Sequence, residues 1–291
     1  MEAFFKGLEK QLSAQLELEL TIANVFPVSG GDINQAFRVA TNGSTYFIKR
    51  NSATRFPGMF EAEAKGLELL RGAECIAVPK VLGTGEVEQE AWLALEWIER
   101  GGKLPDKGRE FGTQLAQLHQ TTQAQFGLDH PNYIGSLPQN NRAHADWVEF
   151  FVRERLEPQL QMAFDAGLAG RSLAAAFERL FSKLDHLFPV EAPALQHGDL
   201  WGGNYLSDAN GKAWLIDPAV YFGHREMDLG MTLLFGGFDQ GFYEGYQAAS
   251  SLEKDWRERT PLTQLYPLMV HLNLFGPSYL GQVEAVLRRF A

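Results

Sequence analysis

The sequence predicts an α+β protein, with a small antiparallel β-rich N-terminal lobe holding one internal helix and a mainly helical C-terminal lobe. Three observations carry this. Short apolar runs with turn signals fill residues 22 to 50 and recur in "AVPKVLG" and "AWLALEWIE". The Gly-rich polar stretch "ERGGKLPDKG" then interrupts the pattern and sets the lobes at 1–99 and 100–291. Beyond it, apolar residues recur at helical spacing over 108–122, 143–167, 171–187, 226–235, 238–249 and, in pieces, 261–290.

Taken in order, the first 20 residues read as a helix with Phe4, Phe5, Leu8, Leu12 and Leu16 on spaced turns. Three antiparallel strands follow over 22 to 50, the last two joined by the hairpin-type turn "TNG". Residues 57 to 71 form a helix with Met59, Phe60, Ala64, Leu67 and Leu70 as its apolar stripe. Its Glu61 faces water and Glu63 borders the stripe. Short strands and turns interrupt the later helices over 196 to 221.

Bulk properties exclude several function classes. The 291 residues suffice for a sizeable core, and a formal net charge of -10 argues against a nucleic-acid partner. The single cysteine, Cys75, allows no intramolecular disulfide and no zinc signature, and reads as a small buried hydrophobe. No apolar run reaches the ~18 residues needed to cross a membrane. The acidic N-terminus reads as an amphipathic helix and not as a signal peptide, so a reducing, cytoplasmic setting is the simplest expectation.

Chemistry concentrates in "QHGDLWGGNYL", 196 to 206, and "AWLIDPAVYF", 213 to 222. Gly198, Gly202 and Gly203 mark a tight loop around Asp199 and Asn204, and His197 is placed to pin that loop. Asp199 is by itself either a turn residue or a proton acceptor, and the Asn204 amide oxygen suits a cation. Asp217 ends an apolar strand before Pro218, so its charge requires a partner, either a metal ion or an Arg. Lys49, in "YFIKR", is either solvated or covered. The Gly30–Gly31–Asp32 turn offers backbone N–H groups to phosphate, a weak signal alone.

In sequence order, a Gly hairpin, a strand Lys, a helix Glu, an H-x-D-x-x-x-x-N loop and a strand-ending Asp resemble the parts of the protein-kinase-like fold for phosphoryl transfer. The chain departs from protein kinases in having Gly198 in place of Arg, Asp217-Pro218-Ala219 in place of D-F-G, and no A-P-E. "LQHGDLWGGNYL", "IDPAVYFGHREMDLGM", "FYEGYQ", "MFEAEAKGLELL" and "WVEFFVRERLEPQL" resemble the fructosamine kinase (ketosamine-3-kinase) family, over nearly the whole chain.

That resemblance implies ATP- and Mg²⁺-dependent phosphorylation of the sugar 3-hydroxyl of ketosamines, free or on protein lysines, leading to deglycation. It implies Asp199 as catalytic base and Asn204 and Asp217 as Mg²⁺ ligands. It implies Lys49, paired with Glu63, on the α/β-phosphates, with Gly30, Gly31 and Asp32 over them and Glu96, Trp97 and Ile98 at the adenine. Asp228 is expected to brace the catalytic loop. On the substrate side, Trp201 either stacks on a sugar or packs, and His224, Arg225 and Glu226 either read hydroxyls or form ion pairs. Asn132, Tyr133 and Gln139 lie in a polar loop of the kind that binds substrate, and His119 reads as a packed helix histidine. Two other readings stand beside this one. A kinase of an aminoglycoside, choline or an amino sugar would be expected to show a more acidic C-terminal loop than "YPLMVHLNLFGPSYLG". A nucleotide-binding pseudokinase would be expected to lack one of Lys49, Asp199, Asn204 or Asp217.

Overall fold

The computed structural model describes all residues except 30–32 and 103–106. The chain forms two compact units, Met1–Leu104 with Leu206–Asp217, and Pro105–Tyr205 with Pro218–Ala291.

The first unit is built on a five-stranded antiparallel sheet. Helix α1 spans Glu2–Leu16, β1 Ile22–Val28, β2 Gln35–Thr41, β3 Thr45–Ser52, α2 Met59–Gly72, β4 Val81–Val87 and β5 Glu90–Glu96. The strand order is β1-β2-β3-β5-β4. Side chains alternate across β3, which is why Ile48 joins a core with Phe4, Leu8 and Leu12 of α1 while Lys49 turns to the other face. There α2 covers the strand: the Asn51 amide reaches the Met59 sulfur at 3.1 Å, and Phe60, Leu67 and Leu70 are buried. The β4 strand runs on through "TGEV", past the "AVPKVLG" run from which the sequence predicts it. Cys75 is half-buried, not a core residue, and its thiol donates to the Ala73 carbonyl at 3.1 Å.

The segment Leu206–Asp217 belongs to this unit although a hundred residues separate it from β5. The Asp208 carboxylate ties its turn, accepting from the Asn210 amide at 2.8 Å, the Lys212 amide at 3.0 Å and Trp214 Nε1 at 3.1 Å. Ala213–Leu215 is a strand, and the Leu215 amide donates to the Ala77 carbonyl at 2.9 Å.

The second unit is mainly helical. Helix α3, Lys107–Leu118, lies against Gln240–Ala249, and the two approach at glycines. A Cβ on Gly112 would meet the Phe242 carbonyl oxygen at 1.8 Å, and one on Gly245 the Arg109 carbonyl oxygen at 2.1 Å. The expected 143–167 helix is interrupted. Trp147–Phe150 is α-helical, Phe151–Leu156 is π-helical, and the α-helix resumes over Glu157–Asp165. Pro158 sits in the first turn of the resumed helix and lacks the amide that a continuous ladder requires. The π-turn buries Arg155 over the Tyr221 ring, 4.1 Å from its centroid. The C-terminal helices are Trp256–Thr263, Leu265–Phe275 and Leu280–Phe290, with Gly276 at φ +89° ending the second. No helix among the described residues is long and apolar enough to cross a membrane.

Candidate functional site

In the second unit, the strand Ala194–Gln196 pairs antiparallel with Tyr221–Gly223 and runs into the loop that carries Asp199. Gly198 takes φ +84°, and a Cβ there would lie 2.0 Å from the Ala219 carbonyl oxygen. Both facts require glycine, which accounts for the missing Arg of the protein-kinase pattern. His197 is buried, and its Nδ1 accepts the Asp199 amide at 3.3 Å, so it pins the loop as its position predicts. The Asn204 amide nitrogen donates to the Asp199 carbonyl and to Asp199 Oδ2, each at 2.9 Å.

Asp228 holds this loop from below. Its carboxylate accepts the His197 amide at 2.7 Å and the Gly198 amide at 2.9 Å, and His119 Nε2 lies 3.3 Å away. Burial opposes ionisation of Asp228, yet these partners outweigh it and hold the carboxyl below its ordinary pKa. His119 Nδ1 lies 2.8 Å from the Tyr246 hydroxyl. An ionised Asp228 can only accept, so His119 Nε2 carries the proton of that bond. His119 is therefore packed, as expected, and it also supports the loop through Asp228.

In the first unit, the Lys49 ammonium donates to both Glu63 oxygens at 2.7 and 2.8 Å and to Asp217 Oδ1 at 2.9 Å. The solvated reading of Lys49 fails, because α2 covers its face of β3 and leaves it 5% exposed. Burial opposes its charge, but the two carboxylates prevail and raise its pKa. Glu63 is raised as well, chiefly by burial, and Lys49 opposes that shift. Glu61 is exposed, as its place on the helix predicts. Asp217 adopts φ +53°, a left-handed conformation uncommon outside glycine, in a position that the following proline restricts further. Strain of this kind persists where the surroundings enforce it, and here Lys49 holds the carboxylate.

Glu96 ends β5 and is exposed, its carboxylate accepting the Lys80 amide at 3.2 Å. Ile98 is buried, and the Arg38 guanidinium lies over the Trp97 ring at 5.3 Å. Gly30, Gly31 and Asp32 lie outside the described residues.

The substrate-side expectations divide. Trp201 is 39% exposed beside Asp199, and Tyr133 is partly buried. His224, Arg225 and Glu226 are corrected as candidates for reading hydroxyls, because burial encloses the first and inward ion pairs engage the other two. His224 is fully buried against the Pro189 carbonyl at 3.3 Å, and burial pushes its pKa down to about 4. Arg225 forks onto Glu191 at 2.8 to 3.0 Å and reaches Ser250. Glu226 is 2% exposed and paired with Arg259 at 2.5 Å.

Asn132 and Gln139 are also interior. Asn132 donates to the Val220 carbonyl at 2.8 Å and Gln139 to the Ala219 carbonyl at 3.1 Å, bracing the chain just past Asp217. Their network includes Asn141, Arg155 and Tyr266, which sequence reasoning missed. At Arg155 the sequence shows only a charged run, Arg153-Glu154-Arg155, in which nothing local separates the buried arginine from the exposed one.

No cluster of three or more His, Cys, Asp or Glu suited to a metal occurs among the described residues. Taken singly, the Asp217 carboxylate, with 40% of its side chain exposed, and the Asn204 amide oxygen are each a hard donor of the type Mg²⁺ takes. That ion takes one or two protein ligands and completes its shell with phosphates and water.

Comparison with known proteins gives a consistent outcome. The family model for fructosamine kinase matches residues 4–291. A probable ketoamine kinase of Enterococcus faecium is 41% identical over 270 residues, covering 91% of this chain and 95% of the relative. One from Lactiplantibacillus plantarum is 40% identical, covering 97% and 99%. Among solved structures, a candidate fructosamine-3-kinase of Thermobifida fusca superposes with TM-score 0.87 at 34% identity, covering 97% of each chain. An aminoglycoside phosphotransferase, at TM-score 0.61 and 17% identity over 97% of this chain and 99% of that one, shares the fold. The two units are those of a bilobal kinase-like fold, and the chain belongs to the fructosamine kinase family.

Proposed function

We propose that this protein transfers the terminal phosphoryl group of ATP to the sugar 3-hydroxyl of ketosamines, on small amines or protein lysines, and so initiates deglycation in the cytoplasm. The observation that carries the reading is the buried Lys49 ammonium held between Glu63 and Asp217, with nitrogen–oxygen distances of 2.7 to 2.9 Å. A lysine held charged in this way is a fixed cation for phosphate oxygens.

The roles are those that the family resemblance implies. Lys49 meets the α/β-phosphates, and Glu63 orients it. Gly30, Gly31 and Asp32 cover the phosphates, and Glu96, Trp97 and Ile98 receive the adenine. Asp217 and Asn204 are the protein ligands to Mg²⁺, which neutralises phosphate charge when bound. Asp199 accepts the sugar hydroxyl proton as its oxygen bonds to the γ-phosphorus and the bond to the ADP oxygen breaks. This requires the ionised carboxylate at the correct distance, and positioning supplies much of the rate. Trp201 and Tyr133 are the substrate-facing residues of this proposal. Residues 1–99 serve the nucleotide and 100–291 carry the base and the substrate.

Support comes from the family match and from the way Asn204 and Asp228 fix the Asp199 loop. The test is an ATP-consumption screen across ketosamines, aminoglycosides and free sugars. Turnover with ketosamines is expected; turnover with aminoglycosides and no ketosamine would overturn the proposal.

A further inference from the structure

Large exposed apolar side chains are scattered over most of this protein, but three of the eight among the described residues belong to one cluster in the second unit. Trp201 is 39% exposed, Phe235 40% and Phe275 52%. Their rings are linked. Trp201 meets Phe235 edge-on at 6.3 Å between centroids, Phe235 lies 4.7 Å from the His271 ring, and His271 lies 5.4 Å from Phe275 and 5.1 Å from Tyr279. Solvent-facing aromatics that touch in series form a continuous surface, and such surfaces mark binding sites more often than chance placement does.

Backbone packing ties this surface to the Asp199 loop. A Cβ on Gly202 would lie 3.0 Å from the Gly236 carbonyl oxygen and 3.1 Å from Gly237 Cα. The chain at Gly236 and Gly237 therefore rests on the loop two residues beyond Asp199's neighbour Leu200, and Phe235 stands beside Trp201. The row starts at the loop that carries the base and runs away from it along the Leu265–Phe275 helix to Tyr279.

We propose that Phe235, His271, Phe275 and Tyr279 form a shelf for the amine-side substituent of the ketosamine, and that it favours aromatic and long aliphatic amines. The proposal rests on the ketosamine kinase reading. A ketosamine has two ends of different chemistry, a polyhydroxylated sugar and an amine that is protonated at neutral pH. The sugar end must lie at Asp199 to be phosphorylated. The surface that continues from that loop carries π-faces, which suit an apolar group on a cationic nitrogen and not a further set of hydroxyls. His271 fits this use. Its Nδ1 lies 2.7 Å from the Pro267 carbonyl oxygen, which fixes the ring, and burial lowers its pKa, so it presents a neutral face to a cation.

The experiment is a kcat/KM series on fructose adducts of methylamine, butylamine, benzylamine and phenethylamine, with wild type, Phe235→Ala, Phe275→Ala and Phe275→Leu. In wild type, the benzylamine adduct is expected to exceed the methylamine adduct about tenfold, the scale of a lost aromatic contact. Each Ala variant lowers that ratio at least about threefold, and Phe275→Leu lowers it less. The ratio divides out any loss of folded enzyme, and the wild-type series stands even where a variant fails to fold. A wild-type series flat across the four amines overturns the shelf while leaving the kinase reading intact. A ratio unchanged in the variants, with Phe275→Ala instead altering the sedimentation mass, also overturns it and makes the surface a contact between copies of the chain. No turnover of any ketosamine removes the underlying reading itself.

Discussion

The Asp228 carboxylate accepts the backbone amide of His197 at 2.7 Å from 31 positions downstream, and its other oxygen takes the Gly198 amide at 2.9 Å. One buried carboxylate thereby fixes the two peptides that precede Asp199. Asp228→Asn presents an NH₂ group to one of those amides in place of an acceptor. We expect kcat to fall on the order of 10²-fold, with nucleotide affinity within about twofold of wild type, because the change displaces a positioned group. Steady-state kinetics with titration calorimetry checks this. A comparable loss of nucleotide affinity would show that Asp228 does more than brace the loop.

Asp199 and Asp217 are assigned different tasks, so their alanine variants differ in kind. Asp199→Ala is expected to abolish phosphorylation and to leave Mg-ATP binding largely intact. Asp217→Ala is expected to weaken Mg-ATP binding. Calorimetric titration separates the two, and unchanged affinity with full turnover would remove Asp217 from the machinery.

Lys49 balances two carboxylates inside the first unit, with 6% of its side chain exposed and 10% of Glu63's. Lys49→Met leaves that charge uncompensated. We expect a stability loss of about 3 kcal/mol or more in urea unfolding, together with loss of activity. The Lys49→Met, Glu63→Gln double variant should recover part of the stability and none of the activity.

His224 gives the protein an acid-sensitive limb. Its pKa is about 4 in the folded chain because burial disfavours the charged ring, against an ordinary value of 6.5. Above about pH 6.5 both states are neutral and the full stability is present. As pH falls from there toward 4, the unfolded chain binds a proton that the folded chain does not, and stability is lost. Urea midpoints between pH 7 and pH 4 should therefore fall more steeply for wild type than for His224→Gln. Parallel curves would show that His224 titrates alike in both states.

Gly198 tests the loop sterically. Gly198→Ala combines φ +84° with a Cβ 2.0 Å from a backbone oxygen, and should cost about 2 kcal/mol or more and most of the activity. Gly72→Ala, whose added Cβ meets nothing within 4 Å, is the control.

Much of this was legible in the sequence where one face of an element decides its fate. Alternation in "TYFIKR" marked β3, and the stripe of α2 placed Glu61 outward. Lys49 was not legible, since whether a mixed strand face meets water depends on the helix Met59–Gly72, whose Glu63 lies fourteen residues on. Glycines and acids in fixed order singled out Asp199, Asn204 and Asp217, the residues to which the proposed phosphoryl transfer is assigned. His224, Arg225 and Glu226 misled for the opposite reason. Their partners Glu191 and Arg259 lie more than thirty positions away, so local sequence shows charge without showing where it is spent. The Leu206–Asp217 segment shows the same limit, since nothing local ties it to Ala77.

The most direct test of the central claim is ³¹P and ¹H NMR of the purified protein with Mg-ATP and a fructosamine. A new phosphate ester on the sugar 3-hydroxyl is expected, absent with Asp199→Ala, followed by release of the free amine. ATP turnover that leaves the ketosamine unphosphorylated, or a phosphate ester that persists in the Asp199→Ala variant, would contradict it.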